Sequence, residues 1–408
     1  MQGSGDFDPG PTTYTLSANA QYAYSAYISK LDSNGNFVWA KNFITGETKG
    51  ESITVDSLGN VYSVGKIFST SDFDPGPSTY TLFGSSGSLY ISKLTNSGNF
   101  VWAKATAANN FNQTFSLTLD LFNALYINGS YNGTVDFDPG TGIDSYTSVG
   151  VQDGFITKLD TAGNYKWTKT LKSSNTCYGA SITTDANGNL YSAGYYYPDA
   201  DFDPGVATYS LTATGFGEMF ILKLDSIGSF LWAKTTQGGF SSFNTSHVFA
   251  YSLALDSQNS VYITGPFSGR VDFNTDAGSD SLDSYTGNSA YILKLNTNGN
   301  FQWAQTLGSH NTNAIAIDNN DNMIVAGEFV SSGDFDPTAG TYMLTSNGGD
   351  DVFISKTGSS VINVREFTKN TLLHIYPNPS HSNFTMVSKE KMSLTIIDNI
   401  GQIVQFID

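Results

Sequence analysis

Short runs in which aliphatic side chains alternate with Ser, Thr or Ala recur along the chain at Ser52-Ile-Thr-Val-Asp56, Ser116-Leu-Thr-Leu-Asp120, Ser181-Ile-Thr-Thr-Asp185, Ser252-Leu-Ala-Leu-Asp256 and Ala314-Ile-Ala-Ile-Asp318. A period of two is the mark of a strand with one apolar face. The other face is small, which suits a place where several sheets converge, so this run reads as an innermost strand. A second run opens with Val61-Tyr62, Leu125-Tyr126, Leu190-Tyr191, Val261-Tyr262 and Met323-Ile324. Between the two lie turns such as Asp56-Ser-Leu-Gly-Asn60, where Gly takes positive φ and Asp bonds the turn backbone. A third run starts at Ala26, Leu89, Gly154, Met219, Ala290 and Val352, and a fourth at Phe37, Phe100, Tyr165, Phe230 and Phe301. Two hairpins per unit predict one antiparallel four-stranded sheet.

The unit has a fixed long period. Asp-Phe-Asp-Pro-Gly begins at Asp6, Asp72, Asp136 and Asp201 and its variant Asp-Phe-Asp-Pro-Thr at Asp334, with a degraded copy at Asp272, and successive starts are 66, 64, 65, 71 and 62 residues apart. All five tryptophans (Trp39, Trp102, Trp167, Trp232, Trp303) fall at one position of the fourth run. Such self-similarity signals an array of one supersecondary unit. A single four-stranded sheet has two faces to bury, and packing several around an axis buries both. The expected fold is therefore all-β, a β-propeller over residues 1–357 with five or more blades. The pair of strands over 26–41 has no first or second run before it. It either completes the fifth sheet or belongs to an incomplete ring; a spare third-run strand favours the incomplete ring. Met1 precedes a repeat phrase by only five residues, so the true start is expected upstream.

Charge divides the chain. The net charge is −17, and beyond Val361 acids and bases balance, so the whole excess belongs to the repeats. That argues against nucleic acid as a partner. Cys177 is the sole cysteine, which excludes an intrachain disulfide and a thiolate cluster. No apolar run approaches the length of a membrane span.

The blade text Asp185-Ala-Asn-Gly-Asn-Leu-Tyr-Ser-Ala-Gly194, Met219-Phe-Ile-Leu-Lys-Leu-Asp225 and Leu231-Trp-Ala-Lys234 resembles the bacterial beta-propeller repeat family over roughly residues 6–356. That resemblance implies a secreted or surface-attached protein. After a linker at 358–371, residues 372–408 contain Ile375-Tyr-Pro-Asn-Pro-Ser380, Asn383-Phe-Thr385 and Leu394-Thr-Ile-Ile-Asp-Asn-Ile-Gly-Gln-Ile-Val404. This resembles the type A sorting domain of the type IX secretion system, stopping about halfway through it. The resemblance implies a Bacteroidota cargo read by the secretion machinery through Tyr376, Pro377, Asn378, Pro379 and Gly401, and a destination outside the cell or on its outer surface.

Candidate chemistry is thin. The carboxylate pairs Asp6/Asp8, Asp72/Asp74, Asp136/Asp138, Asp201/Asp203 and Asp334/Asp336 offer oxygens to calcium, a hard cation needing six to eight ligands. The competing reading is a tight turn, with Asp as acceptor, Pro fixing φ and Gly at positive φ. No other cofactor is expected. Lys30, Lys93, Lys158, Lys223, Lys294 and Lys356 hold one third-run position; Lys41, Lys104, Lys169 and Lys234 hold one fourth-run position. One set is expected to pair with the repeated aspartates. No His-Glu-x-x-His or Gly-x-Ser-x-Gly occurs, so no enzyme motif is present. Glu47, Glu51, Glu218 and Glu328 are read mostly as solvated, and Tyr195-Tyr-Tyr197 as a sugar-stacking surface. The chain reads as a non-catalytic interaction or structural module whose partners are surface proteins or extracellular glycan. The rival reading is a carbohydrate-active enzyme or glycan-binding adhesin using the axial face.

Overall fold

The computed structural model describes residues 1, 3–18, 24–44, 46–84, 87–106, 111–238, 246–308, 310–336, 340–358, 362–367, 373–376, 385–388, 394–397 and 403–407; for 111–115, 285–286 and all beyond 358 it describes the backbone alone. Among them there is no helix. The alternating runs form antiparallel sheets in a propeller-like arrangement. Sheet one has two strands, Tyr27–Leu31 and Phe37–Asn42. Sheet two runs in order through Thr48–Val55, Val61–Ile67, Ser88–Leu94 and Phe100–Ala105. Sheets three to six repeat this path, starting at Phe111, Thr176, Ser252 and His310. The first strands of sheets two to six neighbour one another in chain order, as the small-residue pattern predicts. Their serines explain that pattern: Ser116, Ser181 and Ser252 accept the backbone N–H of Ile182, Leu253 and Ile315 in the following sheet.

The N-terminal pair does not complete the last sheet. Sheet six has its own fourth strand, Ile362–Phe367, inside the stretch read as linker, and it pairs with Asp351–Thr357. No extensive contact among the described residues joins sheet six to sheet one. Beyond it, Leu373–Tyr376 pairs with Thr385–Ser388 and Leu394–Ile397 with Ile403–Ile407. Tyr376 ends a described strand; Pro377, Asn378, Pro379 and Gly401 lie outside the described residues.

The tryptophans hold neighbouring sheets together. A Cβ added to Gly98, Gly163 or Gly299, each in the third-to-fourth-strand turn, would stand 3.0 Å from the ring of Trp39, Trp102 or Trp232 in the preceding sheet. The indole N–H of Trp39 donates to the Asn96 carbonyl at 3.0 Å and that of Trp102 to Thr161 at 3.3 Å. These glycines also have positive φ. Gly163→Ala therefore meets both backbone strain and the indole, and a loss of about 1–3 kcal/mol is expected in urea unfolding. Trp102→Phe in the same background should recover part of that loss by relieving the contact.

Candidate functional site

Each copy of the repeat phrase is a self-bonded turn. The first Asp uses one oxygen to accept two backbone N–H groups, two and eight residues on: Asp72 from Asp74 and Tyr80, Asp201 from Asp203 and Tyr209, Asp334 from Asp336 and Tyr342. Asp6 and Asp136 do the same. The third residue caps the glycine N–H, as Asp8, Asp74, Asp138 and Asp203 do for Gly10, Gly76, Gly140 and Gly205. In the degraded copy Asn274 supplies the same acceptor to Asp276, so loss of charge leaves the turn intact. The donor set fits a turn, but Gly10, Gly76, Gly140 and Gly205 do not take the positive φ expected of them; no cluster of three metal-ligating side chains occurs among the described residues. Beyond the first copy the central Phe of the phrase is fully buried: Phe73, Phe137, Phe202 and Phe273 pack on Tyr90, Phe155, Phe220 and Tyr291 at 4.8–4.9 Å. The insertion also bridges sheets, because Asp201 and Ala200 pair with Lys172 and Ser173 at the end of sheet three.

The third-run lysines pair with other aspartates than expected. Lys93, Lys158, Lys294 and Lys356 meet Asp56, Asp120, Asp256 and Asp318, the aspartates of the first hairpin turn in the same sheet. Lys93 stands directly across from Tyr62, at the turn end of the second strand, while the phrase follows that strand's far end. The ammonium also lies over the tyrosine ring, at 4.6–4.7 Å for Lys93, Lys158, Lys223 and Lys294. Burial raises the Asp56 carboxyl, but bonds from Asn60 and Leu58, with the charge of Lys93, outweigh it and hold the group below its usual range. The degraded phrase does meet a repeat lysine, through Lys234 and Asp276 at 2.8 Å, an ion pair between neighbouring sheets.

With the shared residues assigned to architecture, one zone stands out where the sheets disagree. At the end of the first two strands remote from the Asp-Gly-Asn turns, equivalent cross-strand pairs are Lys49/Lys66, Tyr178/Tyr195, Phe249/Pro266 and Asn311/Glu328. The chemistry changes from basic through aromatic to acidic. Tyr178 and Tyr195 lie 4.5 Å apart between ring centres, Tyr195 and Phe249 4.4 Å, and Phe249 and Tyr251 6.4 Å in a stacked arrangement. His247 stacks on Phe249 at 4.8 Å. Tyr178, Tyr195 and Phe249 are half-buried and Tyr251 is exposed. Burial, reinforced for Tyr251 by the Glu328 charge, pushes the phenols of Tyr178, Tyr195 and Tyr251 up, so all three remain neutral hydrogen-bond groups. Glu328 accepts from Asn311 at 3.1 Å. Of Tyr195-Tyr-Tyr197, only Tyr195 joins this strip; Tyr196 is core, and Tyr197 stacks on Phe216.

Glu218 departs from the solvated reading. It is fully buried and accepts from Thr214, Thr236 and the N–H groups of Gly215 and Gly238. Its position at the head of the third strand is Ser88, Asp153, Ser289 and Asp351 in other sheets, all buried. It pins a loop and leaves no oxygen free for chemistry.

Comparison with known proteins adds the destination. Residues 374–408 match the secretion system C-terminal sorting domain, which marks proteins exported to the cell surface or secreted. Over 249 residues the chain is 28% identical to a WD repeat-containing protein of Acanthamoeba polyphaga mimivirus, covering 53% of this chain and 17% of the relative. The chain thus spans less than a fifth of that relative's length. A crystal structure of a protein of unknown function from Bacteroides caccae aligns at 9% identity over 70% of this chain and 94% of its own, with a TM-score of 0.30, a likeness too slight to carry an argument.

Proposed function

We propose that the repeat domain is the non-catalytic binding part of an exported surface protein and that it holds extracellular glycan on the strip from Tyr178 to Glu328. The observation that carries this reading is the contrast between shared and unshared residues. The repeated acids, lysines and tryptophans are engaged in turns, ion pairs and sheet contacts, whereas Tyr195, Phe249 and Tyr251 form an aromatic row where sheets two and six carry Lys49, Lys66, Asn311 and Glu328. Sugar rings present C–H faces that lie against aromatic rings, while hydroxyls bond to groups such as Asn311 and Glu328. The sorting tail supports an extracellular setting for such a ligand, and brings the secretion machinery as a second partner.

A glycan array followed by titration of the best ligand tests the reading. Tyr195→Ala together with Tyr251→Ala should weaken binding at least about tenfold, equivalent to about 1.4 kcal/mol. Unchanged affinity would remove the strip from the function. Release of shortened sugars from a bound glycan would make the domain an enzyme instead.

A further inference from the structure

The turn end of the sheets shows how this molecule holds an ammonium group. Lys93, Lys158 and Lys294 each lie over a tyrosine ring at 4.6–4.7 Å, with a turn aspartate 3.2–3.9 Å from the same nitrogen. The negative face of the ring and the charge of the carboxylate attract the cation together. At the opposite end, where sheets five and six meet, the same two kinds of group stand without a lysine. The Tyr251 N–H donates to the Thr264 carbonyl, and the Thr264 hydroxyl bonds that of Thr312 in sheet six. Thr312 lies across from Gly327, the neighbour of Glu328. This joint sets Tyr251 and Glu328 on either side of one boundary; burial raises the Tyr251 phenol and the Glu328 charge raises it further. Glu328 accepts from Asn311, and the Nδ1 of His310 stands 3.9 Å away, beyond hydrogen-bond distance. No lysine or arginine among the described residues pairs with Glu328 or lies over Tyr251. His310 has a φ of 111°, which a bulky residue rarely adopts, and strain of this kind gathers at functional sites. Its Nδ1 and the Asn311 Oδ1 are buried without a hydrogen-bond partner among the described residues, which costs stability. The strip itself carries no lysine or arginine. Lys49 and Lys66 hold the equivalent position in sheet two, but sheet three intervenes, and its residue there, Ser130, is fully buried.

We infer that the Glu328 end of the strip is an ammonium subsite and that the ligand is a glycan bearing free amino sugars, its ammonium held between the Tyr251 ring and the Glu328 carboxylate. The inference rests on the glycan reading above and names the class of sugar. Sugar faces lie along Tyr195 and Phe249, and the charged amine takes the place that a lysine fills at the turn end. An N-acetylated sugar keeps the same ring faces but brings no charge, so it binds without the contribution of the subsite. A sulfated or uronic sugar sets a like charge against Glu328 and is rejected.

Oligomers of glucosamine and of N-acetylglucosamine, equal in length, are the probes, titrated into the full chain. The glucosamine oligomer should bind at least about tenfold more tightly, and added salt should shrink that advantage because Glu328 is open to solvent. Glu328→Gln still offers Asn311 an acceptor but removes the charge, so the ratio of the two affinities should fall to about twofold or less. Glu51→Gln, at an exposed acid of sheet two outside the strip, should leave the ratio as it was. Equal affinity for the two oligomers in the wild type overturns the subsite and leaves the glycan reading standing. If neither oligomer binds, the subsite is overturned as well, while the glycan array decides the wider reading separately. An advantage that survives Glu328→Gln moves the ammonium elsewhere and overturns the assignment. A short oligolysine that binds as tightly as the glucosamine oligomer shows that charge alone is read, and overturns the sugar class.

Discussion

Phe137→Ala lowers the stability of the repeat domain by about 3–5 kcal/mol, the range for emptying a buried aromatic site. Phe137 is the second residue of a repeat phrase and fills the gap between the turn and the body of sheet three. It touches Phe155 at 4.9 Å, Tyr131 at 5.1 Å and Tyr146 at 6.0 Å between ring centres. Neighbouring rings are held by their own strands, so the cavity cannot collapse. The equivalent change in the first copy, Phe7→Ala, should fall well short of that range, because Phe7 is only half-buried and meets Tyr27 alone at 4.7 Å among the described aromatic pairs. Urea unfolding followed by tyrosine and tryptophan fluorescence measures both. Equal losses at the two positions would show that the phrase contributes through its turn and not through its phenylalanine.

Glu218→Ala carries the second large effect. It strands the buried N–H of Gly238, worth about 1–3 kcal/mol when left without a partner, and the part-buried N–H of Gly215. Glu218→Gln behaves differently, since an amide oxygen still accepts from those groups and Thr236 can turn its hydroxyl to accept from the amide nitrogen. The pH dependence separates charge from hydrogen bonding. Burial pushes the Glu218 carboxyl above its ordinary value of 4.5, against the opposing bonds from Thr236, Gly238, Thr214 and Gly215. A raised folded pKa means that the folded state favours the proton. That contribution is fully present below the unfolded value and is lost as pH rises through the folded one. Melting temperatures taken from pH 4 to pH 8 should therefore show the wild type losing ground to Glu218→Gln as pH rises. Parallel curves would show that the carboxylate is stabilised by its donors as fully as it is in water.

The repeat made much of the architecture legible in the sequence, because strand alternation, turn chemistry and tryptophan spacing all point to the same four-stranded unit. The turn aspartates behave as read: Asp56 and Asp185 accept the N–H groups two and four residues on. Where glycine is absent from the same turn position, Asn123, Asn259 and Asp321 take the positive φ. What the sequence hid was direction. Both sets of aspartates recur with the same period, so spacing alone cannot say which end of the second strand a lysine reaches. The register does, by placing Lys158 across from Tyr126 beside Asp120. Glu218 was hidden for a related reason. A lone acid reads as surface until its place is matched to the buried Ser88, Asp153, Ser289 and Asp351 of other sheets. The aromatic strip is assembled from two sheets, with the third and fourth strands of sheet four between Tyr195 and Phe249 in sequence. Its signal was available only as disagreement between copies at positions 49, 178, 249 and 311.

Each of sheets two to five contacts the next through its inner strands, sheet one packs side chains such as Trp39 and Phe43 on sheet two, and the tryptophan-and-turn joint recurs at most of these boundaries. Under tension this is a mechanical ladder. A protein held at the cell surface and pulled by flowing liquid or a bound particle yields one sheet at a time from an end, each freeing one repeat of about 65 residues, or roughly 220 Å of extended chain. The joints still closed keep carrying load while the first gives way. A chain built on one repeated joint thus lengthens in similar steps under a pull, and sheds force without letting go.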